Sequence, residues 1–264
     1  MKLIKRQLGQ TGLDVSCLGL GTVKIGRNQE VKYPSSFPLP GDKEVSDLLA
    51  TAKDFGINLI DTAPAYGSSE QRLGRLLTQR DDWIICTKVG EEFTGGKSFF
   101  DFTAQHVNYS VERSLRNIQT DYLDIVLIHS DGRDEQIIQS TDCLEALTRL
   151  KEKGLVRAIG MSTKTALGGL MAVDKTDIVM VTYNPSNTDD AEAIAKAFSE
   201  NKGVLVKKAL NSGHDCNKPN QDGDAVVNNL NLVFSTQGVD SVIVGTINPE
   251  HLRQNIAAAI KATS

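Results

Sequence analysis

An α/β fold, a closed (β/α)8 TIM barrel preceded by a short N-terminal β-hairpin, is predicted by three features of the chain. Runs rich in Val, Ile and Leu alternate with helical patterns, which describes parallel strands covered on both faces, and counting gives eight of each. The length of 264 residues suits one barrel, which typically takes about 250. No GxGxxG joins the first strand to a helix, so the mark of an open dinucleotide-binding sheet is missing. One domain spanning residues 1–264 is expected.

The elements follow in order. KLIKRQLGQTGLDVS reads as a hairpin turning at Gly12, and SCLGLG as the first barrel strand. A loop, VKYPSSFPLPG, leads to a helix capped by Asp42, running through EVSDLLATAKDF and ended by Gly56. INLID, a helix over about 70–78, WIICTK and a helix over 104–118 come next. DIVLIH, the helix CLEALTRLKEK, VRAIGMS and the short helix ALGGLMAV continue the alternation. DIVMVTY, DAEAIAKAFSEN, GVLVKKA, AVVNNLNLVFSTQ, SVIVG and a helix opening at Pro249 complete it.

Composition limits the partners. A formal net charge of −4 and no dense block of Lys and Arg argue against nucleic acid. The N-terminus lacks a continuous apolar stretch, and no run approaches the roughly 18 apolar residues of a membrane span, so a cytoplasmic protein without membrane contact is expected. With no long apolar seam on the outer helices, a monomer is the default. Cys17, Cys86 and Cys143 read as buried free thiols. His214 and Cys216 form an HxC pair in NSGHDCNKPNQDG, but two ligands are too few for zinc, and no metal is expected.

Chemistry concentrates at strand ends. INLID closes on Asp61, IICTK on Lys88 and DIVLIH on His129, and Tyr66 follows Asp61 by one short loop. Parallel strands bring such residues to one rim, where active sites of barrels lie. A phenol with an ordinary pKa of about 10 exchanges protons poorly at neutral pH unless a cation stabilises the phenolate. Lys88 is placed to be that cation, Asp61 to keep it charged, and His129 to hydrogen-bond a substrate oxygen or share a proton with Tyr66. Beyond the last strand, Gly245, Thr246 and the N-terminus of the helix capped by Asn248 offer free N–H groups suited to a phosphate.

LGLGT, NLIDTAPAYGSSE, ICTKVG, TDYLDIVLIHS, KEKGLVRAIGMS, TYNP and VGTINPEHLRQN, in this order and spacing, resemble the aldo-keto reductases over nearly the whole chain. The resemblance implies a barrel that binds NADP(H), with NAD(H) as the alternative, and reduces aldehydes or ketones by hydride transfer. It puts the catalytic set on Asp61, Tyr66, Lys88 and His129, with Tyr66 as proton donor and Lys88 lowering its pKa. It also assigns Gly21, Thr22, Asp61, Ser162, Thr163, Lys207, Lys208, Gly245, Thr246, His251, Gln254 and Asn255 to the cofactor.

Several positions depart from the family pattern. Thr163 follows Ser162 where Asn is common, Met180 replaces a Gln, and Lys207 stands where an aromatic residue often stacks on nicotinamide. His251 takes a place often held by Arg or Lys against the 2′-phosphate, and imidazole is the weaker partner for a dianion. Lys207 and Lys208 either contact the pyrophosphate or are rim charges. Phe99, Phe100 and Phe102, with Tyr33 and Phe37, either line an apolar pocket for a carbonyl substrate or anchor long loops. Two rival functions remain: a Schiff-base lyase using Lys88, and a dinucleotide-binding sensor or partner subunit with little turnover.

Overall fold

The computed structural model describes residues 2–213 and 225–264. The His214/Cys216 pair and most of the expected polar flap lie outside the described residues. An antiparallel hairpin, β1 (Lys5–Gln7) and β2 (Asp14–Ser16), precedes β3 (Leu18–Gly21), the short helix α1 (Val23–Gly26) and α2 (Asp42–Asp54). β4 (Leu59–Asp61), a 3-10 turn over Pro64–Tyr66, α3 (Ser69–Leu76) and β5 (Ile84–Val89) follow. Next come a second hairpin, β6 (Glu91–Thr94) and β7 (Lys97–Phe100), then α4 (Ala104–Ile118), β8 (Leu123–His129), α5 (Asp134–Ser140) and α6 (Cys143–Glu152). The second half runs β9 (Val156–Ser162), α7 (Ala166–Lys175), β10 (Ile178–Thr182), α8 (Ala191–Ser199) and β11 (Gly203–Lys207). It ends with α9 (Ala225–Ser235), β12 (Ser241–Gly245) and α10 (Pro249–Ala262).

β3, β4, β5, β8, β9, β10, β11 and β12 pair in parallel, and β12 closes onto β3, so the barrel is complete with the eight strands the sequence predicts. Side chains alternate along each strand, so one parity points inward. Leu59, Ile84, Cys86, Ile125, Leu127, Ala158, Ile178, Met180 and Leu205 fill that interior. The other parity, including Leu18, Leu20, Ile60, Ile85, Val126, Ile128, Ile159 and Val179, packs under the helices in a separate outer core. Burial on both faces is why these strands read as unbroken apolar runs. The hairpin β1–β2 is a plug: Leu8, Leu13 and Val15 join the interior cluster at the bottom.

Continuing the inward parity to the top of each strand gives Gly21, Asp61, Lys88, His129, Ser162, Thr182, Lys207 and Gly245. Register places Gly245 beside Gly21, Gly21 beside Asp61, His129 beside Ser162 and Thr182 beside Lys207. An interior that is apolar below therefore turns polar at one end.

Local details differ from the expectations. Gly41, not Asp42, is the N-cap of α2; Glu44 reaches back to the Gly41 N–H at 2.7 Å while Asp42 opens the helix and pairs with Arg72. The segment after β5 is the β6–β7 hairpin rather than an irregular loop, turning at Gly95 and Gly96, both at positive φ. α5 is an additional helix between β8 and α6, in a polar stretch that carries only Ile137 as a buried apolar anchor. Cys17, Cys86 and Cys143 are buried free thiols. Among the described residues no helix is long and apolar enough to cross a membrane, and no cluster of His, Cys, Asp and Glu suits a metal.

Candidate active site

Lys88 is the hub of the mouth. It is 2% exposed, and its ammonium donates to Asp61 Oδ1 at 2.5 Å, the Thr62 carbonyl at 2.9 Å and Tyr66 Oη at 3.2 Å. Three acceptors satisfy all three N–H donors, which is what an amine needs to stay charged when buried. Burial pushes the Lys88 pKa down, but Asp61 and the Tyr66 oxygen overcome it and the net direction is up. A permanently protonated amine is a poor nucleophile, which weighs against the lyase.

Tyr66 sits on the 3-10 turn after β4, and its position depends on a close approach of two backbones. Gly67 has φ +63°, and a Cβ there would lie 2.3 Å from the Gly26 carbonyl oxygen; a Cβ on Gly26 would lie 2.2 Å from the Tyr66 carbonyl oxygen. Below, Thr22 holds the base of the turn: its N–H and its hydroxyl both donate to the Asp61 carbonyl at 2.9 Å. Ser69 Oγ donates to Thr22 Oγ1 at 2.7 Å, so the Thr22 hydroxyl is committed within the protein. Lys88 lowers the Tyr66 pKa as expected, but it does not set the net direction. Burial, helped by the charge of Asp61, is larger and pushes the phenol up.

His129 meets Tyr66 edge to face, with ring centroids 6.1 Å apart. Its Nδ1 lies 2.8 Å from Glu91 Oε2 on β6, a close contact whose alignment falls short of a hydrogen bond. Glu91 Oε1 accepts from Ser98 Oγ on β7 at 2.6 Å. Burial lowers the His129 pKa, as do the charges of Lys88 and Lys207, while Glu91 resists; the net direction is down. Glu91 is held down at about 2, because His129, Ser98 and Arg27 outweigh its own burial. Sequence reasoning missed Glu91. The available signal was TGGK, a two-glycine hairpin turn that folds β7 back so that Ser98 reaches Glu91 at the start of β6.

Across the mouth, Lys207 Nζ donates to Ser162 Oγ at 2.8 Å and to the Thr163 carbonyl at 2.6 Å, with no carboxylate in ion-pair contact among the described residues. Burial, with the charges of Lys208 and Lys88, brings its pKa down to about 7. Lys208 is exposed at positive φ, its carbonyl accepting from Asn184 Nδ2 at 2.9 Å. On α10, Asn248 Oδ1 accepts from the N–H of Glu250 and of His251, at 2.8 and 3.4 Å. His251 and Gln254 are exposed, and Asn255 is buried. Of the aromatic residues, Phe102 belongs to the outer core and Phe99 is 54% exposed, so these two do not make a wall together. Tyr33 does reach the mouth: a Cβ on Gly245 would lie 3.2 Å from its hydroxyl.

These groups suit a polar, anionic ligand such as a nicotinamide dinucleotide. The Thr163 hydroxyl is buried without a hydrogen-bond partner among the described residues. Lys207 offers a cation held only by neutral acceptors. Gly21 and Gly245 bring no side chain of their own to the rim, where Ile243 and the Tyr33 hydroxyl stand against them. A separate surface cavity of about 570 Å³, bordered by Asp42, Arg72, Arg75 and Arg116, contains none of the mouth groups.

Fold and site together define a (β/α)8 barrel with a buried Lys–Asp pair, a half-buried Tyr and a neighbouring His at the C-terminal ends of its strands. The profile of the Aldo/keto reductase family matches residues 17–231, and the chain belongs to that family. A putative aldo-keto reductase from Pseudomonas aeruginosa has a solved structure that is similar at TM-score 0.90 and 48% identity, over 100% of this chain and 98% of that one. L-galactose dehydrogenase of Arabidopsis thaliana is 37% identical over 172 residues, which cover 61% of this chain and 49% of the relative. The match thus spans about half the length of that enzyme. The uncharacterized oxidoreductase YqkF of Bacillus subtilis is 27% identical across 97% of this chain and 90% of its own length.

Proposed function

We propose that the protein is an NADP(H)-dependent oxidoreductase that interconverts aldehydes or ketones with alcohols, with Tyr66 as the proton donor in reduction. The observation that carries this reading is the Lys88 ammonium 3.2 Å from Tyr66 Oη and 2.5 Å from Asp61. A bound dinucleotide would supply the hydride; the chain's own residues handle the oxygen. Burial keeps the Tyr66 proton on its oxygen at neutral pH. An oxygen that gains alkoxide character becomes a stronger base than phenolate and takes that proton. Lys88 then lies against the phenolate left behind, and Asp61 keeps Lys88 charged.

Lys207, Ser162, Thr163, Gly245 and Thr246 are the residues we assign to the dinucleotide, with Gly21, Lys208, His251, Gln254 and Asn255 at its borders. The kinship with an L-galactose dehydrogenase extends the candidate substrates to aldoses.

The test follows oxidation of NADPH and NADH with a panel of aldehydes and ketones, and reduction of the oxidised cofactors with alcohols and aldoses. Tyr66→Phe is expected to lower turnover by on the order of 10²- to 10⁴-fold while cofactor affinity, read by fluorescence quenching, stays near wild type. Wild-type turnover in this variant would overturn the assignment.

A further inference from the structure

We propose that Glu91 is a positioning residue that fixes the tautomer of His129, so that the imidazole carries its proton on Nδ1 and presents Nε2 to the mouth as a hydrogen-bond acceptor. The contact itself supplies the argument. Although the contact is bent, a bare Nδ1 lone pair 2.8 Å from the Glu91 Oε2 carboxylate oxygen would be repelled by its negative charge, whereas an N–H there is attracted, so one of the two atoms holds a proton. Glu91 is the weaker base: Ser98 donates to its other oxygen at 2.6 Å, and Arg27 adds a nearby positive charge. The proton therefore belongs to Nδ1. His129 is neutral in this setting, because it is buried and both Lys88 and Lys207 oppose a second charge. A neutral ring protonated at Nδ1 has only a lone pair at Nε2.

This reassigns the work at the mouth, and it rests on the reading of the site given above. Tyr66, a protonated phenol, is the donor; His129 is the acceptor. A carbonyl oxygen takes its hydrogen bond from Tyr66, whereas the hydroxyl of an alcohol or hemiacetal gives one to His129. The β6–β7 hairpin, which lies outside the closed barrel, brings Glu91 and Ser98 to the ring.

The tautomer is read without substrate or cofactor, by long-range ¹H–¹⁵N NMR correlation on ¹⁵N-histidine-labelled protein. His129 is assigned by the signal lost in His129→Gln. The wild type is expected to show protonated Nδ1 and bare Nε2 at neutral pH. In Glu91→Leu, which offers Nδ1 no acceptor, the proton is expected to shift to Nε2. Glu91→Gln removes the charge, so the His129 titration is expected to fall by about one pH unit or more. KM for the alcohol is expected to rise more than KM for the carbonyl in Glu91→Leu. A wild-type spectrum with the proton on Nε2 would overturn the proposal even if no variant folds. So would a Glu91→Leu spectrum unchanged from wild type. Absence of turnover with every carbonyl, with the NMR result intact, would sink the reductase reading alone.

Discussion

Lys207 is the mouth residue whose charge state lies closest to neutrality. Its pKa of about 7 has a clear origin: burial first, then the like charges of Lys208 and Lys88, with Asp134 and Asp190 too weak to compensate. The sign of the pH effect follows. Below about 7 the amine is an ammonium that attracts an anionic ligand; above it the charge and the attraction are lost. If Lys207 grips the dinucleotide, affinity for NADPH falls as pH rises through that value. Lys207→Met should remove this pH dependence and leave affinity close to the wild-type high-pH level. Calorimetric titrations at pH values on both sides of 7 check it; equal pH slopes in the two proteins would return Lys207 to the status of a rim charge. Asp61 gives a second residue-scale outcome. Replacing it with Asn strands the Lys88 ammonium among neutral oxygens, and removing one partner of a buried pair costs about 3–5 kcal/mol. Urea unfolding measures that loss.

The turn that carries Tyr66 is an element built around a backbone contact, and it is tuned by glycine rather than by side-chain packing. Gly67→Ala would force a Cβ into the Gly26 carbonyl and hold alanine at φ +63°. The strain is on the order of 1–3 kcal/mol. Relief by shifting the turn moves Tyr66 Oη off Lys88, so turnover is expected to fall more steeply than thermal stability. A variant that loses stability but keeps full turnover would contradict this. Elements also differ in how far the sequence reveals them. The barrel strands were legible because both faces are buried, and a polar residue ending an apolar run stands out, as Asp61, Lys88 and His129 do. Glu91 lies in EEFTGGKSFF, where polar and aromatic residues mix and no contrast marks the functional one. The cap of α2 was misplaced by one residue because Asp42 has the side chain of a cap, while Gly41 serves through its backbone and the reach of Glu44. α5 was missed because a helix of seven residues with one buried anchor has no periodic stripe to detect. The raised pKa of Tyr66 was illegible for another reason: charge order is visible in a motif, whereas the depth of burial emerges only when the mouth is assembled.

At the scale of the molecule, the barrel divides into a polar top and a sealed bottom, and the seal comes from outside the alternating pattern. Leu8 is fully buried and belongs to the interior cluster with Leu205 and Ile178, although it lies in the connection between β1 and β2. The hairpin is tied down by polar contacts that leave it little freedom. Asn58 Oδ1 accepts from the Ser16 N–H at 2.7 Å, Asn58 Nδ2 donates to the Asp14 carbonyl at 2.8 Å, and Arg6 donates to the Val239 carbonyl. A residue so fixed cannot collapse into the space left by a truncation, so Leu8→Ala opens a cavity at the barrel floor. The expected cost is about 2–5 kcal/mol. Leu39→Ala, at a leucine that is 41% exposed, should stay within about 0.5 kcal/mol. Denaturant midpoints for the two variants decide the matter. Because the floor is separated from the mouth by the packed interior, Leu8→Ala should also leave KM for cofactor and substrate unchanged at temperatures where the protein is folded. Equal stability of the two variants would mean that the hairpin merely covers the barrel, whereas a changed KM would mean that floor and mouth are mechanically coupled through the strands.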